Sequence, residues 1–221
     1  SVEAHFNMGL LLLRKDIAEQ AIHHLEIALE NRPRHLRYMV ALGVALERNG
    51  DDIQAQRIAT EAMEYHPTSP APKAILGTLA AKRRDFNEAE RWLTESLRAN
   101  PVNGPALFDL AKVYLMRNEI ADAVALLEQA CKLMPNNFDA HYTMGVLHHE
   151  AGDSIRATPS ILNAFRLRNA GQAVRELERL IETFRSDDVH VQWAIAAIEY
   201  DRTAFDESLR FAGRALAIEP S

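Results

Sequence analysis

VEAHFNMGLLLLRKDIAEQAIHHLEIALENRPR at 2–34, LRYMVALGVALERNGDDIQAQRIATEAMEYHPT at 36–68 and PAPKAILGTLAAKRRDFNEAERWLTESLRANPV at 70–102 are three versions of one pattern. A step of 34 superposes Gly9, Gly43 and Gly77, then Ala21, Ala55 and Ala89, then Pro33, Pro67 and Pro101. The register continues through Ala111, Ala123 and Pro135, and again through Gly145 and Ala157. A fixed period of this length indicates a solenoid, in which one helical pair cannot bury its apolar face alone and stacks on the next. Such a chain is a binding scaffold whose ligand the period does not name.

Each period repeats one internal grammar. A first helix carries an apolar residue at Met8, Leu42, Leu76, Leu110 and Met144, each followed by a small residue that lets a second helix approach. The second helix supplies small Ala28, Ala62, Ser96, Ala130 and Ala164, with Leu25, Ala59, Leu93, Leu127 and Ile161 one turn earlier, so that small faces large. In the turns RNGDD at 48–52 and EAGDS at 150–154, Gly accepts the left-handed backbone and Asp or Ser caps the second helix. Proline closes each unit because it cannot continue a helix and is tolerated where the next begins.

With these residues in place, the chain resembles the tetratricopeptide repeat family. Taking Gly as the eighth residue of each unit, the family's small positions and closing Pro are met in full by 2–34, 36–68 and 70–102. Ala111 replaces Gly in 104–137; 138–169 keeps Gly145, Ala157 and Ala164 but ends in Asn169; a last unit is recovered by counting back from Pro220. The resemblance implies an all-α fold, a right-handed α-α superhelical solenoid of tandem antiparallel helix pairs. Five tandem units are expected over 1–169, an unpaired linker helix within 170–188 and a terminal unit at 189–221.

The one break in register falls after Arg168, where about half a repeat intervenes. Ala173, Val174, Leu177, Leu180, Ile181 and Phe184 share one face at helical spacing, which predicts a single amphipathic helix near 171–185. Thr158-Pro159 lies inside an expected helix, so either that helix kinks or Thr158 caps a shortened one. The region 153–188 reads as a joint between the array and its last unit, or as a repeat that lost one helix.

Composition excludes several function classes. The chain has 221 residues, is 48% apolar and carries nine Gly and nine Pro, which suits a helical array better than a sheet protein. A formal charge of −6 with scattered Lys and Arg forms no basic stripe, so no nucleic-acid partner is expected. Apolar runs are short and interrupted by charge, so no membrane insertion is expected, and the chain reads as soluble, with the cytoplasm slightly preferred to the periplasm. The lone Cys131 allows no internal disulfide and reads as a small buried hydrophobe. No cofactor and no metal are expected: His141, His148, His149 and Glu150 lack metalloenzyme spacing, and His23 and His24 sit beside no carboxylate pair. Phosphate-cradling loops, nucleophile elbows and paired catalytic acids are absent from the sequence, so the chain reads as no enzyme.

The resemblance places function on the concave surface of the first helices, at positions two, five, nine, twelve and thirteen of each unit. Positions five and nine supply the candidate peptide-binding groove: Phe6, Leu10, Val40, Val44, Thr78, Phe108, Lys112, Tyr142, Val146 and Trp193, with Ala74 and Ala197 between them. This strip is largely apolar, and such patches on soluble proteins mark binding sites. Where the family's chaperone-tail clamp carries Lys, Asn and Arg, this chain has Phe6, Leu10, Ala41, Ala71 and Ile75, which argues against that ligand. The strip suits an apolar peptide or amphipathic helix, with Arg37, Glu47, Arg48, Lys82, Lys112, Asp139 and Glu150 as a polar rim.

Alternatively the chain is a structural module of a bacterial envelope or secretion complex, self-associating through its terminal helices, or the recruiting region of a larger enzyme. Leu209, Ala212, Leu216 and Ile218 have no evident cover, so the reading expects a longer protein or self-association.

Overall fold

The computed structural model describes residues 1–151 and Ser160. The Thr158-Pro159 break, the linker helix, the terminal unit and Trp193 lie outside the described residues. Among the described residues every element is helical: α1 (Val2–Arg14), α2 (Ala18–Asn31), α3 (Leu36–Asn49), α4 (Asp52–Tyr65), α5 (Pro70–Lys82), α6 (Phe86–Ala99), α7 (Gly104–Met116), α8 (Ile120–Leu133) and α9 (Phe138–Glu150). The chain divides into two compact units, Ser1–Leu126 and Leu127–Ser221, with the division inside α8.

In the first unit α1 packs on α2, α3 on α4 and α5 on α6; successive pairs join through α2–α3, α4–α5 and α6–α7, and the first helices touch along α1–α3, α3–α5 and α5–α7. The turns within pairs are one device used four times. Asp16, Gly50, Arg84 and Asn118, 34 apart, all take positive φ, at 60°, 82°, 61° and 63°. The residue after each donates its amide back five positions, Ile17 to the Leu12 carbonyl, Asp51 to Leu46, Asp85 to Ala80 and Glu119 to Tyr114, at 2.9–3.0 Å. This Schellman closure satisfies carbonyls that the first helix leaves free at its end. Asp51 and Asp85 then accept from the amides of Gln54 and Glu88 at 3.2 and 3.0 Å, capping the second helix.

The core follows the predicted grammar. Ala21, Ala55, Ala89, Leu25 and Leu93 are fully buried. A Cβ added at Gly9 or Gly77 would lie 2.6 Å from Cγ of Leu25 or Leu93, so the small-against-large contact is at its limit. Ser96 stands where the other units have Ala, and its buried hydroxyl donates to the Pro70 carbonyl at 2.8 Å. Met8 departs from expectation: Leu42, Leu76 and Leu110 are buried, whereas Met8 is 44% exposed. Leu42 and Leu76 lie on helices that meet a preceding pair, α2–α3 and α4–α5, and α1 meets none among the described residues. In the second unit Leu127, Ala130, Ala140 and Met144 are buried, again at the expected small and apolar positions.

Candidate functional site

The first-helix face of the first unit is built of three kinds of side chain. Leu10, Val40, Val44 and Phe108 are half-buried, leaving apolar surface accessible, as an open strip requires. Phe6 differs from the expected strip residue, being only 2% exposed. Its ring lies 4.7 Å from that of Tyr38, and the Arg37 guanidinium sits 5.0 Å from its centroid. Phe6 therefore supports the face from beneath, because the next pair contributes both an aromatic wall and a cationic cover.

Thr78 and Lys112 are joined through a residue that the strip positions do not include. Half-buried Asp109 accepts from Thr78 Oγ1 at 2.6 Å and pairs with Lys112 Nζ at 2.6 Å. Lys112 Nζ also sits 4.9 Å from the Phe108 centroid. This network ties α5 to α7 and presents a positive tip over an aromatic ring.

The rim charges are largely engaged with the scaffold. Arg48 Nη1 donates to the Leu13 carbonyl at 3.0 Å, and Lys82 Nζ donates to the Glu47 carbonyl at 2.8 Å, each reaching back 35 residues to the last turn of the preceding first helix. Lys82 also pairs with the Glu47 and Asp52 carboxylates at 2.6 and 3.3 Å. Desolvation opposes the charged form of Lys82, but these carboxylates outweigh it and raise its pKa. A cation at the thirteenth position thus caps a helix one unit away and favourably meets its dipole.

Between α1 and α3 this face opens into a cavity of about 570 Å³ lined by Asn7, Leu10, Leu11, Leu13, Arg14, Val44 and Arg48. Leu10 and Val44 were legible as strip positions, and Arg48 as rim. Asn7 and Leu11 were not, since they adjoin the strip positions and only the opening between two helices exposes them together. Arg14, at the end of α1, is exposed and lines this cavity beside Arg48.

The second unit carries Tyr142 and Val146 half-buried on α9, with the Tyr142 ring stacked on Phe138 at 5.5 Å. Cys131 is half-buried, and burial raises its thiol pKa to about 11. It is therefore a poor nucleophile near neutrality. Among the described residues no group of three or more His, Cys, Asp or Glu could hold a metal ion. No described helix is long and apolar enough to cross a membrane.

Comparison with known families matches tetratricopeptide repeat profiles over 2–64 and 80–130 and a TPR repeat profile over 111–152. The chain belongs to the tetratricopeptide repeat family. Members of this family are generally non-catalytic protein-interaction scaffolds. No curated protein matches the chain in sequence. Among solved structures it is similar to TTC0263, a thermophilic TPR protein of Thermus thermophilus, with a TM-score of 0.65 and 16% identity over 95% of this chain and 100% of that one. It is similar to Pseudomonas aeruginosa pilF, with a TM-score of 0.63 and 19% identity over 98% and 96% of the two chains. A third similar structure is YrrB, described as a TPR protein with an unusual peptide-binding site, with a TM-score of 0.53 and 15% identity over 89% and 93%. These likenesses establish the tetratricopeptide fold and leave the ligand to the chemistry of the site.

Proposed function

We propose that this tetratricopeptide array binds a protein segment, an apolar peptide or amphipathic helix, along its first-helix face. The cavity between α1 and α3 carries the reading: Leu10, Leu11, Leu13 and Val44 offer an apolar floor, while Asn7, Arg14 and Arg48 stand at its polar margin. A bulky aliphatic side chain fits that floor, and burying it contributes about 2 kcal/mol. The lining contains cations and no carboxylate, so a carboxylate next to the anchoring side chain is favoured. Half-buried Phe108 under Lys112 offers a second anchor of the same mixed character. YrrB, a TPR protein described as having a peptide-binding site, supports the reading as a precedent on the same fold.

The test uses the full chain and fluorescein-labelled amphipathic peptides with one leucine stripe and either acidic or basic polar faces. The acidic series is expected to bind with roughly micromolar affinity, and Leu10→Asp with Val44→Asp to weaken it at least about tenfold, with helicity by circular dichroism retained. Equal binding by parent and variant sinks this placement of the site. Tighter binding of the basic series overturns its charge preference.

A further inference from the structure

The first-helix face of the first unit carries its anchoring groups at two places, with small side chains between them. At one end lies the cavity between α1 and α3, floored by Leu10 and Val44 with Arg14 and Arg48 at its margin. At the other, α7 presents half-buried Phe108 beneath the Lys112 ammonium, which lies 4.9 Å from the ring centroid. The intervening α5 contributes Ala74 and Thr78 at the strip positions, both too small to anchor a bulky side chain.

The separation of the two places follows from the packing. α1 touches α3, α3 touches α5 and α5 touches α7. Axes of packed helices lie about 8–10 Å apart, so the path from midway between α1 and α3 to α7 is about 20–25 Å. Phe108 sits one helical turn nearer the start of its helix than Leu10 and Val44 do on theirs. That offset of about 6 Å runs across the path and brings the separation to about 21–26 Å.

Charge and hydrogen bonding narrow the occupant further. The cavity lining holds Arg14 and Arg48 and no carboxylate, whereas Lys112 Nζ is already paired with Asp109 at 2.6 Å. Acidic residues are therefore favoured beside the first anchor and not beside the second. An extended peptide would need groups to pair its own amides and carbonyls. The side chains of Leu10, Val40, Val44, Ala74 and Phe108 offer none, and Thr78 donates its hydroxyl to Asp109. A helix satisfies its backbone internally and suits this face.

Resting on the peptide-binding reading of this face, we infer that the partner is an amphipathic helix with two bulky apolar anchors about fourteen positions apart, the one seated between α1 and α3 being flanked by acidic residues. Fourteen residues of helix rise about 21 Å and return the second anchor to within about 40° of the first.

The test titrates the full chain, by anisotropy, with three fluorescein-labelled alanine-based peptides of equal length. Each carries two leucines, one of them beside glutamates, spaced 7, 14 or 21 positions apart; as helices these spans are about 11, 21 and 32 Å. The 14-spaced peptide is expected to bind at least about tenfold more tightly than either of the others. Phe108→Ala, with helicity by circular dichroism retained, should remove that advantage and leave the 7-spaced peptide unchanged. Equal affinity across the three spacings overturns the two-anchor inference without any variant. Preference for the 7-spaced peptide, which spans about 24 Å when extended, overturns the helical form. Undiminished binding of the 14-spaced peptide by folded Phe108→Ala overturns the place of the second anchor. Leu10→Asp with Val44→Asp separates the two levels: if it is silent for every peptide the face itself is wrong, whereas its loss of binding together with a flat spacing series removes the second anchor alone.

Discussion

Replacing Gly77 with Ala should destabilise this protein, although alanine is the better helix former. In α5 the substitution gains about 1 kcal/mol of intrinsic helix propensity. Against this, the new Cβ would lie 2.6 Å from Leu93 Cγ, 2.9 Å from Leu93 Cδ2 and 3.2 Å from the Leu93 backbone nitrogen. A branch carbon and a backbone atom cannot swing away, so α5 and α6 must separate. Overpacking of this kind costs about 1–3 kcal/mol, and the upper part of that range applies here. The expected net loss is about 1–2 kcal/mol.

Gly43 occupies the same place one unit earlier, yet its nearest obstacle is the terminal Cδ1 of Ile75 at 3.0 Å, with Ile58 Cγ2 at 3.9 Å. That methyl group can rotate, so Gly43→Ala should be neutral or stabilising by up to about 1 kcal/mol. Urea unfolding of the full chain, followed by circular dichroism and by hydrogen exchange of the α5 and α6 amides, separates the two cases even if the array opens in parts. Adding Leu93→Ala to Gly77→Ala should cost less than the sum of the single losses, because the clash disappears with the side chain. A Gly77→Ala protein as stable as the parent, or one more stable than Gly43→Ala, would refute this reasoning.

Gly50→Ala should lose about 1 kcal/mol and Arg84→Gly should gain up to about 1 kcal/mol, since both sit at the left-handed closure that penalises a Cβ; paired thermal midpoints in opposite directions check this. Asp85→Ala removes the acceptor for the Glu88 amide and should cost about 1 kcal/mol, read from the urea midpoint, while Asp85→Asn should retain most of the cap. Glu90 is held below its ordinary pKa of 4.5, chiefly by its hydrogen bond from Arg117, with Tyr114 adding a second. A depressed carboxylate stabilises the fold fully above its unfolded pKa and loses that contribution as pH falls through the folded value. Glu90→Gln should therefore flatten part of the acid limb of a stability profile below about pH 4.5, and an unchanged slope counts against the pairing.

The candidate site was partly legible in the sequence, and the division has physical causes. Leu10 and Val44 could be placed by counting, because a repeating helix returns the same position to the same face every 34 residues. Phe6 occupies an equally regular position but is covered by Tyr38 and Arg37, which belong to the next unit and are not repeated as a pair elsewhere. Asp109 was missed because Lys112, three residues along α7, reads as an ordinary helical pair, and Thr78 joins them only when α5 meets α7. The carbonyl caps by Arg48 and Lys82 share a spacing of 35, but the sequence shows two cations and not the free helix ends they satisfy.

The period by itself determined the helical pairs, their order, their small-residue contacts and their closing prolines, since those depend on local spacing and on contacts repeated in every unit. Tertiary structure alone decided how each repeated position is used. Gly50 announced its left-handed turn, and Asp16 and Asn118 are types that tolerate it, while Arg84 adopts the same backbone without such a preference. Gly9 and Gly77 meet Leu25 and Leu93 of their own second helices, whereas Gly43 is approached first by Ile75 from the following pair. His5 and His24 face one another only because α1 folds back on α2. Local patterns record what a residue prefers, whereas contacts between helices depend on side chains far apart in sequence, and those settle which face is open, which is covered and which can bind.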